Sequence, residues 1–350
     1  AGPAPMLPAP DLVERARSVW TPVDGSELPG FADDALHEAW PALRASCLEP
    51  RAPWHDWCAR VQLEAPDDAA AAWRLLREHL QPYRVQAADG ATEGLATGYY
   101  EPLLEARRQR DARHTVPLHA LPAEVAGRPP TWTRREIDTL PAAQAALRGR
   151  EIAWVADPVD ALVLQIQGSG RVRITEPDGS VRTVRLAYAG HNGQPYKSVG
   201  RWLIEQGELP RDGASWPAIR AWTRAQPPAR VQQMLWANPR TVFFREEPLP
   251  DPSIGPRGAL GVPLTPGRSI AVDPLSIPYG APVWLDTTAP LADTPLRRLV
   301  AAQDTGSAIV GAVRADFFWG WGEAAEAQAG RMKQPLRMWV LWPKRLPPGA

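Results

Sequence analysis

Long apolar runs are missing from this 350-residue chain. No stretch approaches the ~20 consecutive apolar residues of a membrane-crossing helix. An excess of charge is missing too: Lys+Arg and Asp+Glu stand at 39 each, so composition gives no argument for nucleic acid or an acidic membrane surface as partner. Cysteine is scarce, at Cys47 and Cys58 only, and the six histidines are dispersed. No Cys or His cluster has metal-ligand spacing, neither a Ser-His nor a Cys-His pair stands out, and no metal or cofactor is expected. The two cysteines are read either as a disulfide in an oxidising compartment or as two buried thiols. The start, AGPAPMLPAP, is a Pro/Ala-rich tail without the apolar segment of a signal peptide, so a targeting segment is expected to lie outside this chain.

What the chain does have is proline, 40 residues, and tryptophan, 16 residues. Many prolines favour short elements joined by rigid turns, which suits small barrels better than a helical bundle. Residues 1–30 read as an extended leading segment. Helix-face spacing follows at Leu36, Trp40 and Leu43, then Trp54, Trp57 and Val61, then Ala69, Ala72, Trp73, Leu76 and Leu80 behind Pro66-Asp67-Asp68. ATGYYEP at 96–102 reads as a strand ending in a turn, with Tyr99 and Tyr100 on opposite faces. Residues 102–130 are basic and Pro-rich and read as a solvated strand–loop region. Thr133 and Glu136 have capping-box spacing.

Asp157-Pro158 starts a helix running into QIQGSG at 165–170. The glycines there end a helix and open a strand, the reverse of the order in nucleotide-binding loops, which excludes that reading. Gln165, Gln167 and Ser169 supply neutral donors and acceptors suited to hydroxyl and acetamido groups. A hairpin is expected over 171–175 and 181–189 around Pro177-Asp178-Gly179. Lys197 is either a surface charge at a helix start or a ligand contact. Past two short helices, near 216–224 and 231–236, the chain turns β-rich: strands are expected at 241–245, 268–272, 282–286, 299–304 and 336–341, with an Ala-rich helix at 323–329. Short strands between Gly/Pro turns point to a compact barrel.

The densest chemistry lies in QDTGSAIVGAVRADFFWG, residues 303–320. Asp304 leads a Thr-Gly-Ser turn, and Asp316 precedes Phe317, Phe318 and Trp319. Apolar surroundings and a neighbouring carboxylate both penalise the charged form of an acid and raise its pKa. An acid held protonated near neutral pH can serve as a general acid. The plainer reading is a buried, hydrogen-bonded aspartate that organises a turn.

An ordered set of motifs resembles the membrane-bound lytic transglycosylase A (MltA) family: GYYEP at 98–102, QIQGSG at 165–170, AYAGHNGQPYKSVG at 187–200, NPRTVFF at 238–244, GALGVPLTPGRSIAVDP at 258–274, IPYG at 277–280, then DTGSAI and ADFFWG. It spans about residue 90 to 343, and its last third is similar to the 3D domain, whose three aspartates fall here on Asp273, Asp304 and Asp316. The resemblance implies a mainly β fold with N-terminal helices. A double-psi β-barrel domain, from 1–101 and 238–350, would carry a smaller inserted β-barrel domain, 102–237, with the glycan in a groove between them.

It further implies non-hydrolytic cleavage of the MurNAc–GlcNAc β-1,4 bond of peptidoglycan, leaving 1,6-anhydro-MurNAc. Asp316 would be the single acid and then base, with Asp304 orienting it or binding sugar. Thr97, Tyr99, Gln165, Gln167, Ser169, Lys197 and Asp273 would contact the glycan strand. A monomer in the periplasm is expected, associated with the outer membrane; no N-terminal lipid-bearing Cys is present in this chain, so either the lipid anchor of several family members has been trimmed or this member is unanchored. Two rivals remain open. DTGS at 304–307 is also the signature of pepsin-like aspartic peptidases, which need two copies where this chain has one. A non-catalytic, expansin-like wall-binding module would share the barrel.

Overall fold

A computed structural model describes residues 9–128 and 131–344. The first eight residues of the Pro/Ala-rich tail lie outside the described residues, as do Pro129 and Pro130 at the end of the basic region. The chain forms two units. One takes the chain up to Tyr100, Ser253–Gly320 and the chain from Ala324 on; the other takes Glu101–Pro252 with Trp321–Glu323.

The N-terminal block supplies four strands: β1 (Val13–Glu14), β2 (Val19–Pro22), β3 (Leu80–Gln86) and β4 (Gly94–Glu101). The middle block supplies β5 (Leu103–Arg107), β6 (Val116–His119), β7 (Glu151–Val155), β8 (Gly170–Thr175), β9 (Val181–His191) and β10 (Val242–Pro248). The C-terminal block supplies β11 (Ser269–Val272), β12 (Pro282–Thr288), β13 (Pro295–Asp304), β14 (Arg314–Trp321) and β15 (Lys333–Pro343).

Nine strands make the sheet of the first unit, in the order β1-β2-β3-β15-β12-β13-β11-β14-β4, and β15 also pairs with β4. The two halves of β15 explain this. Its start pairs with β4 (Lys333 opposite Thr97) and its end with β3 (Trp339 opposite Arg84), while β12 takes its other edge. Six strands, β4, β15, β12, β13, β11 and β14, therefore close into a ring, which removes their free edges. Ile270 and Val272 of β11, opposite Phe317 and Ala315 of β14, put the apolar side of this ring into the main core. The helices Trp40–Ser46, His55–Leu63 and Ala69–His79 pack Trp40, Leu43, Trp57, Val61 and Leu76 into the same core. Asp68 caps the third by accepting from the Ala71 N–H at 2.8 Å. Cys47 and Cys58 are joined as a disulfide between the first two helices, with Cα atoms 5.2 Å apart. The described part of the leading segment is not merely extended: β2 adds to the sheet against β3.

The second unit holds a six-stranded sheet in the order β10-β9-β8-β5-β7-β6. A bridge between Ala120 and Phe244 links its two edges, so the sheet curls almost to closure. The Thr133–Glu136 capping box forms in both directions. One boundary differs from the expectation, which placed 238–252 with the C-terminal strands. β10 pairs along its whole length with β9, Val242 opposite His191 through Pro248 opposite Val184, and Phe244 joins the core of this sheet. The unit thus runs to Pro252. The strands on either side of the expected insertion go to different sheets, β4 to the first and β10 to the second, because their partners are long-range and no local pattern encodes a partner.

Candidate active site

Asp316 lies in the middle of a strand rather than in a loop. β11 runs between β13 and β14, and its Ala271 is opposite Asp304 on one side and Asp316 on the other. Register partners on neighbouring strands share a face. The two acids therefore flank one alanine, on the face opposite Ile270, Val272 and Phe317. Strand alternation also sorts the three aromatics after Asp316. Phe317 faces the core and touches Trp319 at 4.8 Å between ring centres, while Phe318 shares the face of Asp316 and packs on Tyr99 at 5.3 Å.

β4 brings the remaining groups. Thr97 and Tyr99, two residues apart, project to one face, whereas Tyr100 is buried on the other. The Thr97 hydroxyl donates to Asp316 Oδ1 at 2.9 Å, and the Tyr99 hydroxyl donates to Asp304 Oδ2 at 3.0 Å. Asp304 Oδ1 accepts from the Ala259 N–H at 2.9 Å. That approach needs Gly258: a Cβ there would sit 2.4 Å from the Gln303 carbonyl oxygen and 3.0 Å from Asp304 Cβ. Arg314 donates to the Thr97 hydroxyl and to the Ala315 carbonyl, each at 2.8 Å.

These surroundings decide protonation. Burial pushes Asp316 up to about 6; the Thr97 hydrogen bond and the charge of Arg314 pull against it, and the charge of Asp304 adds to it. Burial also raises Asp304, opposed by the N–H groups of Thr305 and Ala259 and by Tyr99. Tyr99 is held well above its ordinary value by burial and by the two carboxylates, so it remains a neutral donor. The site thus contains an acid that is about half protonated near pH 6, beside a second, hydrogen-bonded carboxyl group.

Of the expected site residues, Thr97, Tyr99, Asp304 and Asp316 are brought together. Asp273 is engaged elsewhere: its carboxylate is 3% exposed and accepts from Leu275 N–H (3.0 Å), Gly311 N–H (2.9 Å) and Arg17 (2.9 Å). Gln165, Gln167, Ser169 and Lys197 belong to the second unit. Gln165 Oε1 accepts from Arg134 at 2.7 Å and from the Val242 N–H at 3.2 Å, tying its helix to β10. Gln167 ends that helix, Ser169 Oγ is buried without a partner among the described residues, and Lys197 is exposed. Sequence reasoning missed Arg314 and the Ala259 N–H. Arg314 was findable, since it lies two residues before Asp316 and so shares its face once 314–321 is read as a strand. Glu101, read only as part of a turn, is buried between Arg171 (3.1 Å) and Arg185 (3.3 Å).

Two family descriptions match the chain: the MltA specific insert domain over residues 95–245 and the 3D domain over 268–342. Membrane-bound lytic murein transglycosylase A of Vibrio cholerae is 31% identical over 327 residues, 85% of this chain and 84% of that protein. Among solved structures, the lytic transglycosylase LtgG of Burkholderia pseudomallei is 45% identical, with a TM-score of 0.70, covering 97% of this chain and 99% of that one. Escherichia coli MltA with bound chitohexaose is 26% identical, with a TM-score of 0.71, covering 95% and 94%.

Proposed function

The chain belongs to the membrane-bound lytic murein transglycosylase A family, and on that premise we propose that it cleaves the MurNAc–GlcNAc β-1,4 bond of peptidoglycan by a lyase reaction with Asp316 as the single acid and base. The observation that carries this reading is a carboxyl group pushed up to about 6, hydrogen-bonded among the described residues through one oxygen only and set across one alanine from a second carboxyl group.

Protonated Asp316 gives its proton to the glycosidic oxygen as the C1–O bond breaks, and GlcNAc leaves with a free 4-hydroxyl. The MurNAc C1 is left with oxocarbenium character. Asp316, now a carboxylate, takes the proton of the MurNAc C6 hydroxyl as that oxygen bonds to C1. The product is 1,6-anhydro-MurNAc, no water is consumed, and Asp316 is protonated again for the next turnover. A pKa near neutrality suits both halves of this cycle. An ordinary glycosidase divides the work between two carboxylates; here the sugar hydroxyl replaces the second. Asp304, oriented by Tyr99 and Ala259, offsets the positive charge at C1.

Thr97, Tyr99, Gln165, Gln167, Ser169 and Lys197 are assigned as glycan contacts, with chitohexaose on the Escherichia coli relative as support for a β-1,4-linked amino-sugar ligand. The proposed setting is the periplasm, at the outer membrane, as a monomer. The relatives' names include "membrane-bound", and the Cys47–Cys58 disulfide suits an oxidising compartment. Among the described residues no helix is long and apolar enough to cross a membrane.

Incubation with purified sacculi tests the reading. Soluble 1,6-anhydro muropeptides are expected, with the rate falling on an alkaline limb centred at about pH 6, because the first step needs protonated Asp316. New reducing ends would point to a hydrolase instead, peptide fragments to a peptidase, and binding without product to a wall-binding module.

A further inference from the structure

Asp316 is surrounded by few charges. Arg314 comes from its own strand, Asp304 from β13 and Tyr99 from β4, while β11 offers only Ala271. Arg314 is the only cation of this set, yet its guanidinium goes to a hydroxyl, Thr97 Oγ1 at 2.8 Å, and to the Ala315 and Leu95 carbonyls at 2.8 and 3.5 Å. A direct ion pair with Asp316 would favour the carboxylate and leave no acid to donate.

The indirect contact has a directional consequence. A guanidinium can only donate, so at this contact Thr97 Oγ1 must accept. A hydroxyl has a single hydrogen, and the 2.9 Å contact to Asp316 Oδ1 receives it. Oδ1 is then occupied as an acceptor. Oδ2 has no hydrogen-bond partner among the described residues. We infer that Arg314 is a positioning residue: acting through the Thr97 hydroxyl, it places the transferable proton of Asp316 on Oδ2. Without that contact the hydroxyl can rotate, and the proton divides between two oxygens, one of them turned toward β4.

The inference rests on the acid/base reading of Asp316 and is tested with the full chain on sacculi. Thr97→Val removes the hydroxyl at nearly constant volume, Arg314→Met removes the guanidinium, and the double variant removes both. Each single change is expected to lower kcat about tenfold, with the double variant within about twofold of either, because the two act in series. The alkaline limb should rise by about one pH unit in each, since a hydrogen bond or a positive charge favouring the carboxylate has gone. A purely structural role for Arg314 would leave that limb in place.

Arg314→Gln keeps a donor without the charge, so kcat should recover to within about threefold of the parent while the limb stays raised. Thr97→Ser keeps the hydroxyl that donates to Asp316, so its alkaline limb should stay where the parent's is. These two conservative variants carry the test if a larger change prevents folding: an unmoved limb in Arg314→Gln overturns the inference. So does an additive, about hundredfold loss in the double variant. Turnover by Asp316→Asn would remove the acid/base reading and this inference with it. Additivity beside an inactive Asp316→Asn removes the inference alone.

Discussion

Asp273 and Asp316 belong to neighbouring strands of one barrel and meet opposite fates. Asp273, just past the end of β11, is the less exposed to solvent, yet its carboxyl lies below the ordinary range. Burial raises it, but the Gly311 and Leu275 N–H groups and Arg17 together outweigh burial. Asp316, half-buried in β14, accepts one neutral hydroxyl bond, and burial prevails, to about 6. Exposure to solvent therefore does not by itself decide which aspartate holds its proton. Desolvation raises both, and only at Asp273 do the number and charge of the donors outweigh it. The turn after β11 surrounds its acid with three donors and makes it a fixed anion; the β4–β14 corner supplies one and leaves an acid that keeps its proton up to about pH 6.

The largest break in this comparison is expected from substitution of each acid by its amide. Asp316→Asn should lower release of soluble muropeptides by at least about 10³-fold while sacculus binding persists, as for removal of a group needed in both proton transfers. Asp273→Asn should leave turnover per folded molecule within about threefold of the parent. Comparable release by the two variants would end the distinction.

Stability should diverge next, and in opposite directions. Asp273→Asn turns an amide NH₂ toward donors and should cost about 2–3 kcal/mol at pH 7 in urea unfolding. Because the folded pKa of Asp273 is depressed, its contribution is present above the unfolded value of about 3.9 and disappears as pH falls through the folded value. The penalty of the variant should vanish there. Asp316→Asn should stabilise instead. Its folded pKa is raised, so the parent loses stability as pH climbs from about 3.9 to about 6; the variant escapes that loss, a gain of about 3 kcal/mol well above pH 6 and little at or below about pH 4. A gain at pH 4 equal to that at pH 7 would show that packing, not titration, is responsible. The smallest effect is expected at Asp304, where Asp304→Asn keeps an acceptor for Tyr99 or Ala259 and should slow turnover about tenfold.

Much of this contrast could be read from residues close in sequence. The helix starts at Asp68 and Thr133, the hairpin at Pro177-Asp178-Gly179 and most late strands follow from caps, turns and period-two patterns, and the acid beside aromatics drew attention to Asp316. What the sequence did not disclose is long-range. Arg314–Trp321 was not assigned as a strand, because an Ala-Asp-Phe-Phe-Trp-Gly run buried on both faces lacks the alternation that marks a half-exposed one. With the strand missed, the shared face of Arg314 and Asp316 was missed also. Asp273 looked equivalent to its two partners in the 3D motif, since nothing local announces an N–H from Gly311, 38 residues on, or an arginine 256 residues back. The placement of β10 failed for the same reason.

The edge shared along β15 bears on how this enzyme is made. Thr97 and Asp316 are 219 positions apart, and the strand carrying Thr97 is held between β14 and the first half of β15. Contacts of such separation form late, after the entropy of closing the intervening chain has been met. During synthesis Asp316 leaves the ribosome before β15, so the ring is still open and Asp316 sits in water with an ordinary carboxyl pKa. On the proposed mechanism, a nascent or truncated chain lacking β15 would be an incomplete wall-cutting enzyme, its Asp316 ionised at neutral pH. Closure of the barrel and acquisition of activity become one event, a safeguard written into strand order.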